Sequence, residues 1–215
     1  DPANDNQNFA RARARGALNT EAAAAPPEAG RVIPILGWRE TFGALVAEGA
    51  VDPASIAPAV LSVGGGAHPP AREKVARLAS RIAAPGDFSA TLAQARAQRQ
   101  GSVLTITRER GRVSVPTRAL EPGSVQVWDG RFEIRSPKAA SLRALGGLAS
   151  RLPAPQRAAL RQAPVAARPA LPALVDGAGG VVCPILAGEA EGAAAVSLVM
   201  ARFAAACGQT AAEPI

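Results

Sequence analysis

The Pro85-Gly86 pair divides this chain into two textures, and any fold it adopts must accommodate both. Proline removes a backbone donor and glycine has no side chain to hold a regular conformation, so no helix or strand runs through the pair. Before it, apolar residues recur at helical spacing. Trp38, Phe42, Leu45 and Val46 stand at i, i+4, i+7 and i+8, which predicts a helix over residues 38–49. Asp52-Pro53 starts a second helix through Ile56, Val60 and Leu61 that Pro58 is expected to kink or shorten, and Gly64-Gly65-Gly66 ends it. After Pro69-Pro70, residues 71–82 place Val75, Leu78 and Ile82 inward and Arg72, Lys74, Arg77 and Arg81 over the rest, an amphipathic basic helix.

After Pro85 the pattern is extended. Thr91-Leu92 opens a short run, residues 102–107 alternate apolar and polar side chains as a half-buried strand does, and residues 112–115 repeat the alternation. Residues 126–135 read as strand, turn, strand, with Asp129-Gly130 at the bend. Helices are predicted over residues 141–150, 155–161 and 193–206, and a last extended pair over 171–175 and 181–186. The fold class is therefore α+β: an N-terminal helical segment followed by a small mixed sheet with flanking helices. Three parts are expected: residues 1–15, a helical region over 16–85, and a small α+β domain over 86–215.

Hydrophobic residues make up 48% of the 215 but aromatics only 3%, so the core must be built from Ala, Val, Leu and Ile. Of the 24 basic residues only Lys74 and Lys138 are lysines; the other 22 are Arg, and the net charge is +7. The guanidinium fork binds phosphate oxygens in pairs and stacks on bases, which points to nucleic acid as partner. An Ala, Arg, Gly and Pro-rich composition is also what a GC-rich genome writes, so charge alone does not decide. Cys183 and Cys207 lie far apart and His68 is the single histidine, which excludes a zinc site at the usual ligand spacings. The cysteines read as small buried hydrophobes. There is no run of 18 or more apolar residues and no hydrophobic signal core, so neither a membrane nor secretion is expected, and the compartment expected is the cytoplasm.

The Gly64-Gly65-Gly66 run invites comparison with a phosphate-cradling loop, but no Lys-Ser/Thr follows it, so it reads as a helix-ending turn. Paired carboxylates, a Ser/His/Asp set and a metal cluster are likewise missing from the sequence. At the start, Asp1-Pro2-Ala3-Asn4 leads into Phe9-Ala10-Arg11-Ala12-Arg13-Ala14-Arg15. On a helix Arg11 and Arg15 share a face and Arg13 projects away, which makes a phosphate clamp or a merely solvated basic end.

That opening resembles the segment closing the catalytic domain of the tRNA(Ile)-lysidine synthetases. Further matches follow in family order: His68-Pro69-Pro70-Ala71-Arg72-Glu73-Lys74, Thr91-Leu92, Thr107-Arg108-Glu109, Trp128-Asp129-Gly130-Arg131-Phe132, and the run Arg168-Pro169-Ala170-Leu171-Pro172-Ala173-Leu174. The chain departs from the family pattern at Ala3, at Asn6, at Ala93-Gln94 where a Gly pair is usual, and in a shorter helical stretch before His68.

The resemblance implies the C-terminal part of an ATP-dependent ligase that attaches lysine to the wobble cytidine of tRNA(Ile). It implies tRNA(Ile) and lysine as substrates, and ATP with Mg²⁺ bound by a preceding segment that carries the pyrophosphatase-type loop. Without that loop the chain alone is expected to be inactive. Arg11 and Arg15 are then expected at the active-site edge, and Arg13, Arg72, Lys74, Arg77 and Arg131 as tRNA contacts. The alternative is a non-catalytic basic module that binds RNA or another partner.

Overall fold

A computed structural model describes residues 32–109, 115–187 and 192–209. Among them are five α-helices and twelve strands, in three sheets whose pairings are antiparallel, so the α+β class is the one observed.

The first sheet has strand order β1-β2-β5-β4-β3. Its strands are β1 (Trp38–Thr41), β2 (Ala44–Glu48), β3 (Phe88–Leu92), β4 (Ala95–Gln100) and β5 (Val103–Arg108). The stretch expected as a helix over residues 38–49 is thus a hairpin. Its apolar residues fit a helical stripe, but Gly37, Gly43 and Gly49 all take positive φ and interrupt it every six residues. Phe42 and Gly43, at φ 50° and 72°, form the two-residue turn with left-handed centre that matches strand twist. Gly43 is required there for a second reason: a Cβ would lie 2.5 Å from the Phe132 ring. Because β2 pairs with β5, Leu45 opposite Ile106, this sheet draws on strands from both sides of Pro85.

One face of the sheet is covered by α1 (Ile56–Gly64), α2 (Arg72–Ala83) and α5 (Val199–Ala206). Leu45, Leu104 and Ile106 from the strands meet Ile56, Val60 and Val63 of α1, Leu78 and Ile82 of α2, and Val199 and Phe203 of α5 in one core. Ala95 and Ala97 on β4 are buried and small, which lets α1 come close. Trp38 is the large anchor: its ring meets Phe203 edge-on at 5.5 Å and its Nε1 donates to Ser55 Oγ at 3.2 Å. Pro58 does not interrupt α1, because it stands in the first turn, where the missing N–H would have had no partner within the helix.

The second core lies under two further sheets, one ordered β11-β10-β9-β6 and the other β12-β8-β7. Their strands are β6 (Arg118–Leu120), β7 (Val125–Trp128), β8 (Phe132–Arg135), β9 (Ala140–Ala144), β10 (Pro172–Val175), β11 (Val181–Val182) and β12 (Ala194–Ser197). The short helices α3 (Ala154–Leu160) and α4 (Pro184–Ala187) pack beside them. Two expected helices are corrected here. The first half of 141–150 is strand β9, recruited by pairing with β10, Leu142 opposite Leu174. Residues 194–197, at the head of the Ala-rich run, form strand β12 beside β8 before α5 begins. The hairpin around Asp129-Gly130 forms as expected, with Trp128 opposite Phe132. Among the described residues no helix is long and apolar enough to cross a membrane.

Candidate nucleic-acid interface

Helix α2 begins after Pro69-Pro70, carries Glu73 in its first turn and Arg81 in its last, and so matches its charges to both ends of the helix dipole. Leu78 and Ile82 are buried against the core, which turns Arg72, Lys74, Arg77 and Arg81 to solvent. Lys74, Arg77 and Arg81 stand at i, i+3 and i+7 and form one row along the helix. Arg77 bonds Glu73 at 3.0 Å, but the two side chains are 68% and 82% exposed. A pair so open to water and salt holds Arg77 only weakly and leaves it competent to meet phosphate.

At the end of the row the last turn of α2 meets the sheet edge. Phe88 on β3 lies directly across from Arg99 on β4. The Arg81 and Arg99 guanidinium carbons stand 5.4 Å and 6.0 Å from the centre of the Phe88 ring. Arg99 Nη1 also donates to the Ala84 carbonyl oxygen at 2.7 Å, closing the end of the helix. Neither guanidinium is paired with a carboxylate among the described residues. Together these groups make a basic surface whose two terminal cations are positioned by an aromatic ring rather than neutralised.

The other expected site residues fall differently. Arg11, Arg13 and Arg15 lie outside the described residues. Arg72, Lys74 and Arg77 are all exposed on α2, Lys74 and Arg77 on one flank and Arg72 on the other. Arg131, expected as a tRNA contact, is 1% exposed, and this assignment is corrected. Its Nε and Nη2 donate to Asp129 Oδ2 at 2.9 Å and 2.8 Å, Nη2 also donates to the Ala170 carbonyl oxygen at 2.7 Å, and its guanidinium lies 4.8 Å over the Phe132 ring. Burial pulls this guanidinium down to about 10, against the opposing pull of the Asp129 carboxylate, so it remains protonated at neutral pH. An internal hydrogen-bonding role, with no surface left for phosphate, is what those contacts describe.

Sequence reasoning missed what surrounds Arg131. Arg108 grips Asp129 with Nε to Oδ2 at 2.9 Å and Nη2 to Oδ1 at 3.0 Å, and donates Nη1 to the carbonyls of Gln94 and Glu109. Arg202 on α5 donates to the carbonyl oxygens of Gly130 and Gly66, the latter at 2.7 Å. The Gly64-Gly65-Gly66 turn is indeed the end of α1, with Gly65 left-handed at φ 69°. A Cβ on Gly65 would lie 2.0 Å from the Asp129 carbonyl oxygen, and one on Gly130 would lie 2.6 Å from the Gly65 carbonyl oxygen. The two glycine turns therefore sit back to back. That glycine run does not fit a nucleotide phosphate: it presents helix-terminal carbonyls and is occupied by the hairpin and Arg202. Among the described residues no group of three or more His, Cys, Asp or Glu could hold a metal ion.

Cys183 and Cys207 are both buried thiols, as expected. Burial pushes Cys183 up to about 12 and Cys207 up to about 11, with Asp52 adding to the latter. Neither is a nucleophile at neutral pH.

The chain is 39% identical, over an alignment of 227 positions that takes in 97% of its length, to the tRNA(Ile)-lysidine synthase of Caulobacter vibrioides. It spans 52% of that relative, about half its length. No family model matches the chain, and no solved structure does. The resemblance to the tRNA(Ile)-lysidine synthetases carried by the motifs thus extends along nearly the whole sequence.

Proposed function

We propose that this chain is the C-terminal, tRNA-holding part of a tRNA(Ile)-lysidine synthetase, a ligase that uses ATP to join lysine to the wobble cytidine of tRNA(Ile). The observation that carries the RNA-binding part of this reading is the exposed row on α2. Lys74, Arg77 and Arg81 share one flank of a helix whose buried side is fixed in the core, and Arg72 is exposed on the other flank, so the helix presents a cationic strip. Such a strip suits a phosphate backbone, which it orients through charge rather than sequence.

In this reading ATP, with Mg²⁺, would activate the cytidine in a part of the enzyme beyond the described residues. What the described residues contribute is affinity and orientation: they hold the tRNA body so that the anticodon reaches the chemistry. Arg11 and Arg15 are proposed at the active-site edge, with Arg13 as a tRNA contact. The enzyme would act in the cytoplasm. The chain by itself would bind tRNA and form no lysidine.

The test is a salt titration of tRNA(Ile) binding to the chain. Log affinity should fall linearly with log salt, and replacing Arg72, Lys74 and Arg77 together by Gln should lower the slope by about two to three. Salt-independent or absent binding would reject this reading. Lysidine formed by the chain alone with ATP, lysine and tRNA would reject the division of labour.

A further inference from the structure

Beside Arg99, between the last turns of α2, the segment after β2 and the β4–β5 turn, the surface sinks into a depression of about 420 Å³. Val51, Ile56, Ala79, Ile82 and Ala83 form its apolar wall, and Arg99 is the one charged group lining it. This volume lies in the range of small-ligand sites. Gly101 and Ser102 of the β4–β5 turn line one margin. Arg81 lies outside the hollow, but it shares the Phe88 ring with Arg99, which lines it.

We infer that this depression receives one unpaired nucleotide of the bound RNA, the base against the apolar wall and its phosphate on Arg81 and Arg99. The inference rests on the reading of α2 as an RNA-backbone surface and adds to it a specific site. Three features favour this occupant. A nucleobase has an apolar face that an aliphatic wall can cover, and a phosphate on one side that needs cations. The two guanidiniums are held near each other by the Phe88 ring and by the Ala84 carbonyl, so part of the ordering cost of binding is already met. A duplex would leave the hollow unused, because its bases are stacked inward and offer only backbone to a helix surface.

The experiment compares a tRNA(Ile) transcript with a blunt RNA duplex, each titrated by fluorescence anisotropy against the full chain and its Arg81→Gln, Ala83→Leu and Lys74→Gln variants. Arg81, Ala83 and Lys74 are exposed helix positions, and thermal melts establish that the variants fold. Ala83→Leu fills the hollow without altering charge. It should weaken tRNA binding about three- to tenfold and leave duplex binding unchanged. Arg81→Gln should lower the tRNA salt slope by roughly 0.7–0.9. Equal effects of Ala83→Leu on both RNAs, or none on either, would overturn the nucleotide site. In that case Lys74→Gln still weakens both RNAs if the backbone surface is real. A wild-type chain that binds neither RNA would overturn the surface and the site together.

Discussion

Arg108 and Arg131 share one carboxylate. Arg108 closes on Asp129 with two bonds of 2.9 Å and 3.0 Å, Arg131 approaches the same group at 2.8 Å, and all three side chains are less than a tenth exposed. Arg108 ends the β5 strand of the first sheet and Arg131 follows the turn of the β7–β8 hairpin, so Asp129 joins the two cores electrostatically.

Removing Asp129 should therefore be costly. Asp129→Ala leaves two guanidiniums buried against each other, and the loss expected is about 3–5 kcal/mol. Arg131→Ala should cost a similar amount while leaving the salt slope of tRNA binding unchanged. Urea denaturation gives the first quantity and anisotropy the second. A stable Arg131→Ala protein with a reduced slope would restore Arg131 as a phosphate contact.

The β3–β4 turn carries strain that glycine would relieve. Leu92 pairs with Ala95 across a two-residue turn in which Ala93 and Gln94 both take positive φ, 45° and 63°. Left-handed backbone costs an ordinary residue roughly 1–2 kcal/mol, partly offset by the greater freedom of glycine in the unfolded chain. Gln94→Gly should raise stability by about 0.5–1 kcal/mol. The Gln94 carbonyl that accepts from Glu109 is retained, so a melt that falls instead would mean the amide side chain holds the turn.

Gly65 admits no side chain. Its φ is 69° and its Cβ would meet the Asp129 carbonyl, so Gly65→Ala must push the hairpin away from α1. A loss of about 2–4 kcal/mol is expected from strain and lost packing combined. At Gly86, also left-handed but with no atom within 4 Å, alanine should cost only the backbone strain, about 1–2 kcal/mol. Comparing the two by denaturant midpoint separates contact from conformation.

Stability should fall in alkali partly through Cys183. Burial raises this thiol from 9.0 to about 12. Its contribution is fully present below pH 9, where neither state ionises. As pH rises from 9 toward 12 the unfolded thiol loses its proton and the folded one does not, so unfolding is favoured. Cys183→Ala removes this term, and the gap in stability between wild type and variant should shrink by up to about 1.4 kcal/mol per pH unit across that window. A gap that stays constant between about pH 8 and about pH 11 would mean the thiol is not held neutral.

Trp128 is 1% exposed and packs 6.4 Å from Phe132 across the hairpin, in a chain with few aromatic anchors. Trp128→Ala should cost about 3–5 kcal/mol by thermal melting.

Elements with local signals were legible in the residue pattern. The α2 helix was legible because its apolar residues keep a helical period between Pro70 and Pro85. The β7–β8 hairpin was legible because Asp-Gly supplies the left-handed turn. The basic row on α2 followed from periodicity alone, since a residue opposite a buried stripe must face water. Tertiary structure decided the rest. Residues 38–49 have a helical stripe, yet they form a hairpin because β5, more than fifty residues later, supplies the ladder that their backbone needs. Strand β9 exists because β10 pairs with it. Arg131 looked like a surface cation at the tip of a turn, and it is buried because the Ala170 carbonyl reaches it, and Arg108 reaches its neighbour Asp129, from distant parts of the chain. The hollow beside Arg99 has the same origin, being walled by residues that only folding brings together. Local spacing fixes which way a side chain points along its own element, whereas burial and charge compensation depend on the partners that arrive from elsewhere.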